Sequence, residues 1–167
     1  PLLENGTQSI INIFNLGSNL FSKLETVLYK KMNEYRKYFE GSNDLFIKNW
    51  PDETDLTGWS ISMSRNGYLK PHNHVNGWLS GVYYLQIPKK KDKSDGNIQF
   101  CLDNHSYPKI DTVLPTLEIE TLESRVVLFP SSLFHRSLPF SEDTNRVCIA
   151  FDFQPKVQTI ESTIEVI

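Results

Sequence analysis

The chain has 167 residues, 39% of them hydrophobic and 12% aromatic, which suits one globular domain with a substantial core. Its formal net charge of −3 argues against a nucleic-acid binder that relies on a general basic field. No apolar run approaches a membrane span and no signal-peptide pattern opens the chain, so no membrane partner and a cytoplasmic setting are expected. Because it opens on Pro1, the chain is expected to be either trimmed or one domain of something longer. Cys101 and Cys148 sit in apolar, strand-like surroundings and form no disulfide framework, so buried thiols are expected.

In chain order, residues 1–50 read as an N-terminal helical packing segment and residues 51–167 as a β core. Leu20, Phe21, Leu24, Val27, Leu28, Met32 and Tyr35 fall in steps of three and four, one face of an amphipathic helix over 18–40. Ser18 or Asn19 can cap its start, and Gly41 follows its end. From Gly58 the pattern turns to strands, at 59–64, 78–87, 97–101, 118–120, 125–129 and 146–153. The basic run at 89–93 leads into Ser94-Asp95-Gly96 and reads as a solvated loop. Residues 103–115 read as a polar loop carrying His105. A helix followed by many short strands with Pro and Gly turns predicts a mostly β protein with an N-terminal helix, folded as a double-sheet jelly roll.

Three of the four histidines carry the chemistry. His72 and His74 form a His-x-His pair, which on a strand would put both imidazoles on one side. His135 lies far downstream, at the end of an aromatic strand and turn. Three imidazoles on one face suit zinc, iron, copper or nickel alike. Arg146 opens an otherwise apolar strand, where a buried guanidinium needs an anionic partner. Its planar fork matches a carboxylate, supplied by Asp143, by Asp152 or by a ligand.

The run Lys70-Pro71-His72-Asn73-His74-Val75-Asn76-Gly77-Trp78-Leu79-Ser80-Gly81-Val82-Tyr83-Tyr84-Leu85 resembles a family of 2-oxoglutarate- and iron(II)-dependent oxygenases. So does the block from Val127-Leu128-Phe129-Pro130 through His135-Arg136-Ser137, with Arg146-Val147-Cys148-Ile149-Ala150-Phe151-Asp152 behind it. The resemblance covers roughly residues 59–154 and implies the double-stranded β-helix, the same jelly roll. Some relatives carry this domain behind tetratricopeptide repeats. The resemblance implies iron(II) as metal, 2-oxoglutarate as cosubstrate, and hydroxylation of a small molecule or peptide with release of succinate and carbon dioxide. It makes His72 and His135 metal ligands, with His74 where the wider superfamily has a carboxylate. Arg146 matches the anchor of the distal 2-oxoglutarate carboxylate, and Tyr84 a tyrosine that assists it. Trp78, Leu133 and Phe134 are expected to wall the site against water. The alternatives from other classes are a cupin-type dioxygenase or zinc hydrolase using three histidines, and a non-catalytic jelly-roll binding module. Arg146 speaks against the zinc hydrolase, and the lack of a Glu within residues 75–80 speaks against the cupin.

Overall fold

In the computed structural model, which describes residues 2–101 and 114–156, eight strands form one antiparallel sheet that curls on itself. β1 (Leu3–Gln8), a short 3-10 turn (Ile13–Leu16), α1 (Asn19–Tyr38) and α2 (Leu45–Lys48) come first. β2 (Thr54–His72), β3 (Leu79–Gln86), β4 (Ile98–Phe100), β5 (Leu117–Ile119), β6 (Val126–Pro130), β7 (His135–Ser137) and β8 (Arg146–Pro155) follow. The strand order is β5-β4-β7-β2-β8-β3-β6, with β1 alongside β2. The polar loop expected at 103–115, His105 included, falls almost wholly outside the described residues. No helix among the described residues is long and apolar enough to cross a membrane.

β2 organises the fold. Its first half pairs with β8 from Thr54↔Pro155 to Met63↔Arg146, and its second half pairs with β7 at Leu69↔Ser137 and His72↔His135. Between the halves the register against β1 shifts, and Asn66 there takes a φ of 62°, a left-handed conformation that asparagine tolerates better than most residues. The strand curls back over itself at this corner. Asp152, the cross-strand neighbour of Thr57 near the start of β2, meets His74 just beyond its end.

Strand alternation divides β8 and β3 between two cores. Phe151, Phe153 and Leu79 face outward, onto Leu28 and Met32 of α1 and onto Trp50. Cys148, Ala150, Tyr84 and Val82 face inward, with Ile61, Met63, Leu69 and Phe140. The expected helix is therefore a packing element, starting after Ser18 as predicted, although its Leu20 and Val27 remain exposed. β1 was not legible as a strand: Leu-Glu-Asn-Gly-Thr-Gln has no apolar alternation, and pairing with β2 is what extends it. Cys101 and Cys148 are buried and unbridged, as expected.

Candidate functional site

The curl brings the three histidines together. His72 is the last residue of β2 and His135 the first of β7, and the two are direct cross-strand partners with ring centroids 4.3 Å apart. His74 is not on the strand, contrary to the expectation of one strand carrying both. Its backbone N–H donates to the Ser131 carbonyl at 3.0 Å, and its own carbonyl accepts from Gly77 N at 3.2 Å, closing a turn through Val75-Asn76. The turn, rather than strand alternation, aims His74 at its neighbours. Its ring centroid lies 5.3 Å from His72 and 5.1 Å from His135. One ligand atom from each histidine lies within 4.8 Å of the others, close enough to share a metal ion.

Hydrogen bonds fix which nitrogen each ring offers. His72 Nδ1 lies 2.7 Å from the Lys70 carbonyl and His135 Nδ1 lies 3.0 Å from the Leu133 carbonyl. A carbonyl only accepts, so both Nδ1 atoms carry the proton and both Nε2 lone pairs are free. His74 Nδ1 lies 2.6 Å from Asp152 Oδ1, which gives the same tautomer. A metal site needs this arrangement, with the non-ligating nitrogen held by an outer acceptor.

Burial keeps the His72 and His135 rings neutral. Burial is the main cause that pushes His135 down from 6.5 to about 3, and repulsion from His72 adds to it. Burial also lowers His72. In the unfolded chain these histidines protonate below about pH 6.5, whereas in the folded chain they resist, so the unfolded state binds more protons. Stability of the metal-free protein is expected to fall as pH drops from about 6.5 toward 3. Each such group contributes a slope of at most about 1.4 kcal/mol per pH unit. Urea midpoints at pH 7 and pH 5 check this, and equal midpoints would contradict it.

Of the apolar residues expected to wall the site, Trp78 and Leu133 do not. Trp78 precedes β3 and stacks on Phe46 of α2 at 5.4 Å, on the outer core, and Leu133 is exposed. The rings beside the histidines are Phe129, 4.6 Å from His135, Trp59, 5.6 Å from His74, and Phe100, 6.2 Å from His135.

Deeper in the inner core sits Arg146, 2% exposed. Neither Asp143 nor Asp152 pairs with it, and no described carboxylate lies within ion-pair distance. Its Nη1 contacts Met63 Sδ at 3.7 Å and Cys148 Sγ at 3.5 Å, while its guanidinium lies 5.2 Å from the Tyr84 ring centroid. Arg146 Nε and the Tyr84 hydroxyl are buried with no hydrogen-bond partner, and burial pushes the Tyr84 phenol up. A guanidinium with no carboxylate partner among the described residues, next to a buried phenol, is a cradle that fits a carboxylate. Tyr83, by contrast, packs on the helix side. Sequence reasoning missed Asp152 as a site residue. Its signal was a lone acid on the inward parity of an apolar strand, the parity shared with Arg146.

Residues 57–152, which contain all of these side chains, match the model of the family described as "Putative 2OG-Fe(II) oxygenase". A search of curated protein sequences finds no match. Among solved structures the chain is similar to a prolyl-4-hydroxylase of Pseudomonas putida, with a TM-score of 0.56, 14% identity, and coverage of 91% of this chain and 72% of that one. HygX of Streptomyces hygroscopicus, solved with nickel and 2-oxoglutarate bound, gives 0.57 at 12% identity, covering 93% and 72%. A Trichoplax adhaerens prolyl hydroxylase, solved with a hypoxia inducible factor peptide, gives 0.58 at 14% identity, covering 92% and 64%. At such identities the likeness speaks for the double-stranded β-helix fold, as the jelly-roll expectation required. The family match takes in more than half of the chain. The protein therefore belongs to the 2-oxoglutarate- and iron(II)-dependent oxygenases.

Proposed function

We propose that the protein is a hydroxylase in which His72, His74 and His135 hold iron(II) through their Nε2 atoms, and Arg146 with Tyr84 holds the far carboxylate of 2-oxoglutarate. The observation that carries this reading is Arg146. A buried guanidinium lacking a described counter-charge costs several kcal/mol unless an anion arrives. The other end of the cradle is set by β4. A side chain added at Gly96 would place its Cβ 3.7 Å from Arg146 Cδ, and Phe100 pairs directly with His135. The segment from the turn residue Gly96 to Phe100 therefore runs from the arginine to the histidine cluster.

Iron(II) and 2-oxoglutarate together supply oxidative decarboxylation, in which one atom of dioxygen enters succinate as carbon dioxide leaves, and the other is available to a substrate C–H bond. The chain's residues do the rest. The three Nδ1–H groups are committed to outer acceptors, which reserves the Nε2 lone pairs for the metal. Phe100, Phe129 and Trp59 keep water from the rings on the protein side. Arg146 and Tyr84 orient the dicarboxylate end to end. The substrate is a small molecule or a peptide segment.

Anaerobic titration of the iron(II)-loaded protein with 2-oxoglutarate tests this. The expected result is a weak visible charge-transfer band that saturates at one cosubstrate per iron. If iron were bound and no band developed, the 2-oxoglutarate part of the reading would be lost and a three-histidine oxygenase of cupin type would replace it.

A further inference from the structure

Imidazole ligates a metal as a neutral group, so three such ligands offset none of the double charge of a divalent metal. Among the described residues, the carboxylate hydrogen-bonded to this cluster is Asp152 of β8, 5% exposed. Its Oδ1 lies 2.6 Å from His74 Nδ1 and accepts from Ser80 Oγ at 2.6 Å. Ser80 Oγ is in turn 2.7 Å from Ser131 Oγ, and both serines are fully buried. A hydroxyl donates only one proton. With the Ser80 proton given to Asp152, Ser131 must donate to Ser80, and the chain Ser131 to Ser80 to Asp152 ends on a carboxylate oxygen that also takes the His74 Nδ1 proton. The surrounding space is closed: a Cβ at Gly77 would lie 2.5 Å from Ser131 Oγ and 3.3 Å from Asp152 Cγ. Asp152 cannot swing away from His74 without displacing that loop.

We propose that Asp152 is the carboxylate of this metal site, displaced one hydrogen bond outward: a positioning residue that acts through His74, setting its tautomer and supplying the negative charge that a directly ligating carboxylate would bring. The inference rests on the metal-site reading above. Two imidazoles with one carboxylate, and three imidazoles with one carboxylate behind them, carry the same total charge. They differ in the group presented to the metal. His74 gives the metal a directional nitrogen, and the Ser80–Ser131 pair fixes the carboxylate behind it.

The test is cobalt(II) binding, followed by its visible absorption bands in protein without 2-oxoglutarate. Asp152→Asn keeps the shape and an acceptor for His74 Nδ1–H but removes the charge. It is expected to weaken cobalt(II) binding by about 10- to 100-fold, the range found when an outer partner of a ligand is removed, with an unchanged near-ultraviolet circular dichroism spectrum. The double variant His74→Asp/Asp152→Asn moves the carboxylate into the inner ring and is expected to bind at least tenfold more tightly than Asp152→Asn alone. Asp152→Asn binding as tightly as the parent would overturn the inference. So would a double variant no tighter than the single one, because Asp152 would then matter only for packing. A parent protein that bound no cobalt(II) would instead overturn the three-histidine metal site itself.

Discussion

Replacing Arg146 by alanine is expected to raise the dissociation constant of 2-oxoglutarate by on the order of 100-fold or more, while leaving metal affinity within a few-fold of the parent. Truncating one member of a buried, hydrogen-bonded charge pair costs about 2–5 kcal/mol, and every 1.4 kcal/mol is a factor of ten. The guanidinium's polar and cation-π contacts among described side chains are to Met63, Cys148 and Tyr84, none of them a metal-ligand candidate, so the effect should be confined to the cosubstrate. Isothermal titration of metal-loaded protein with 2-oxoglutarate, beside a cobalt(II) titration, reads the two effects separately. Arg146→Met adds a converse expectation. With no carboxylate bound, the unpaired cation is an electrostatic burden, and a thioether of similar length should leave the metal-free protein at least as stable. Parent and variant should then differ in thermal shift on adding 2-oxoglutarate, which stabilises only a protein that binds it. Unchanged cosubstrate affinity in Arg146→Ala would remove the anchor role and, with it, the observation on which the function rests.

His135→Ala should remove metal binding for practical purposes. Structural zinc sites gain about 10–16 kcal/mol from four ligands, so one ligand contributes on the order of 10²- to 10³-fold in affinity. His135 is the strongest candidate of the three for a full effect. It is the most buried of them, it pairs directly with His72, and its low pKa means that no proton competes for Nε2 at neutral pH. The metal-free variant should still fold, because the position lies between β2 and β4 rather than inside either hydrophobic cluster. It should also lose part of the acid-side slope in stability, since the group resisting protonation is gone. Cobalt(II) titration and urea midpoints at two pH values measure both effects on one sample. A variant that bound cobalt(II) like the parent would show that His135 is a buried core histidine and not a ligand.

Much of this protein was legible before folding was considered. The helix over 18–40 announced itself because steps of three and four repeat for five turns, and a periodic signal that long has few competing explanations. The strands at 78–87, 97–101, 118–120, 125–129 and 146–153 were bounded by Gly, Pro and polar turns and appear as β3, β4, β5, β6 and β8. β1 and β7 were not legible, being short, polar and extended only by the neighbours they pair with. The full length of β2 was hidden for a related reason. Both of its faces are covered in places, by Leu56 on one core and Ile61 and Met63 on the other, so its hydrophobic alternation breaks even though the backbone stays extended.

The site divides along the same line. His72, His74, His135 and Arg146 could be picked out from the chain because buried imidazoles and a buried guanidinium are costly in an apolar β setting, whereas Tyr84 was singled out only by the family resemblance. What no spacing could determine is which side chains face them. That Asp152 leaves Arg146 unpaired and goes to His74, that Trp78 turns to the helix while Trp59 reaches the histidines, and that His74 sits on a turn and not on a strand all depend on the corner near Asn66, where β2 folds its end over its start. Sequence determines which groups must be satisfied; the path of the backbone at one corner decides what satisfies them.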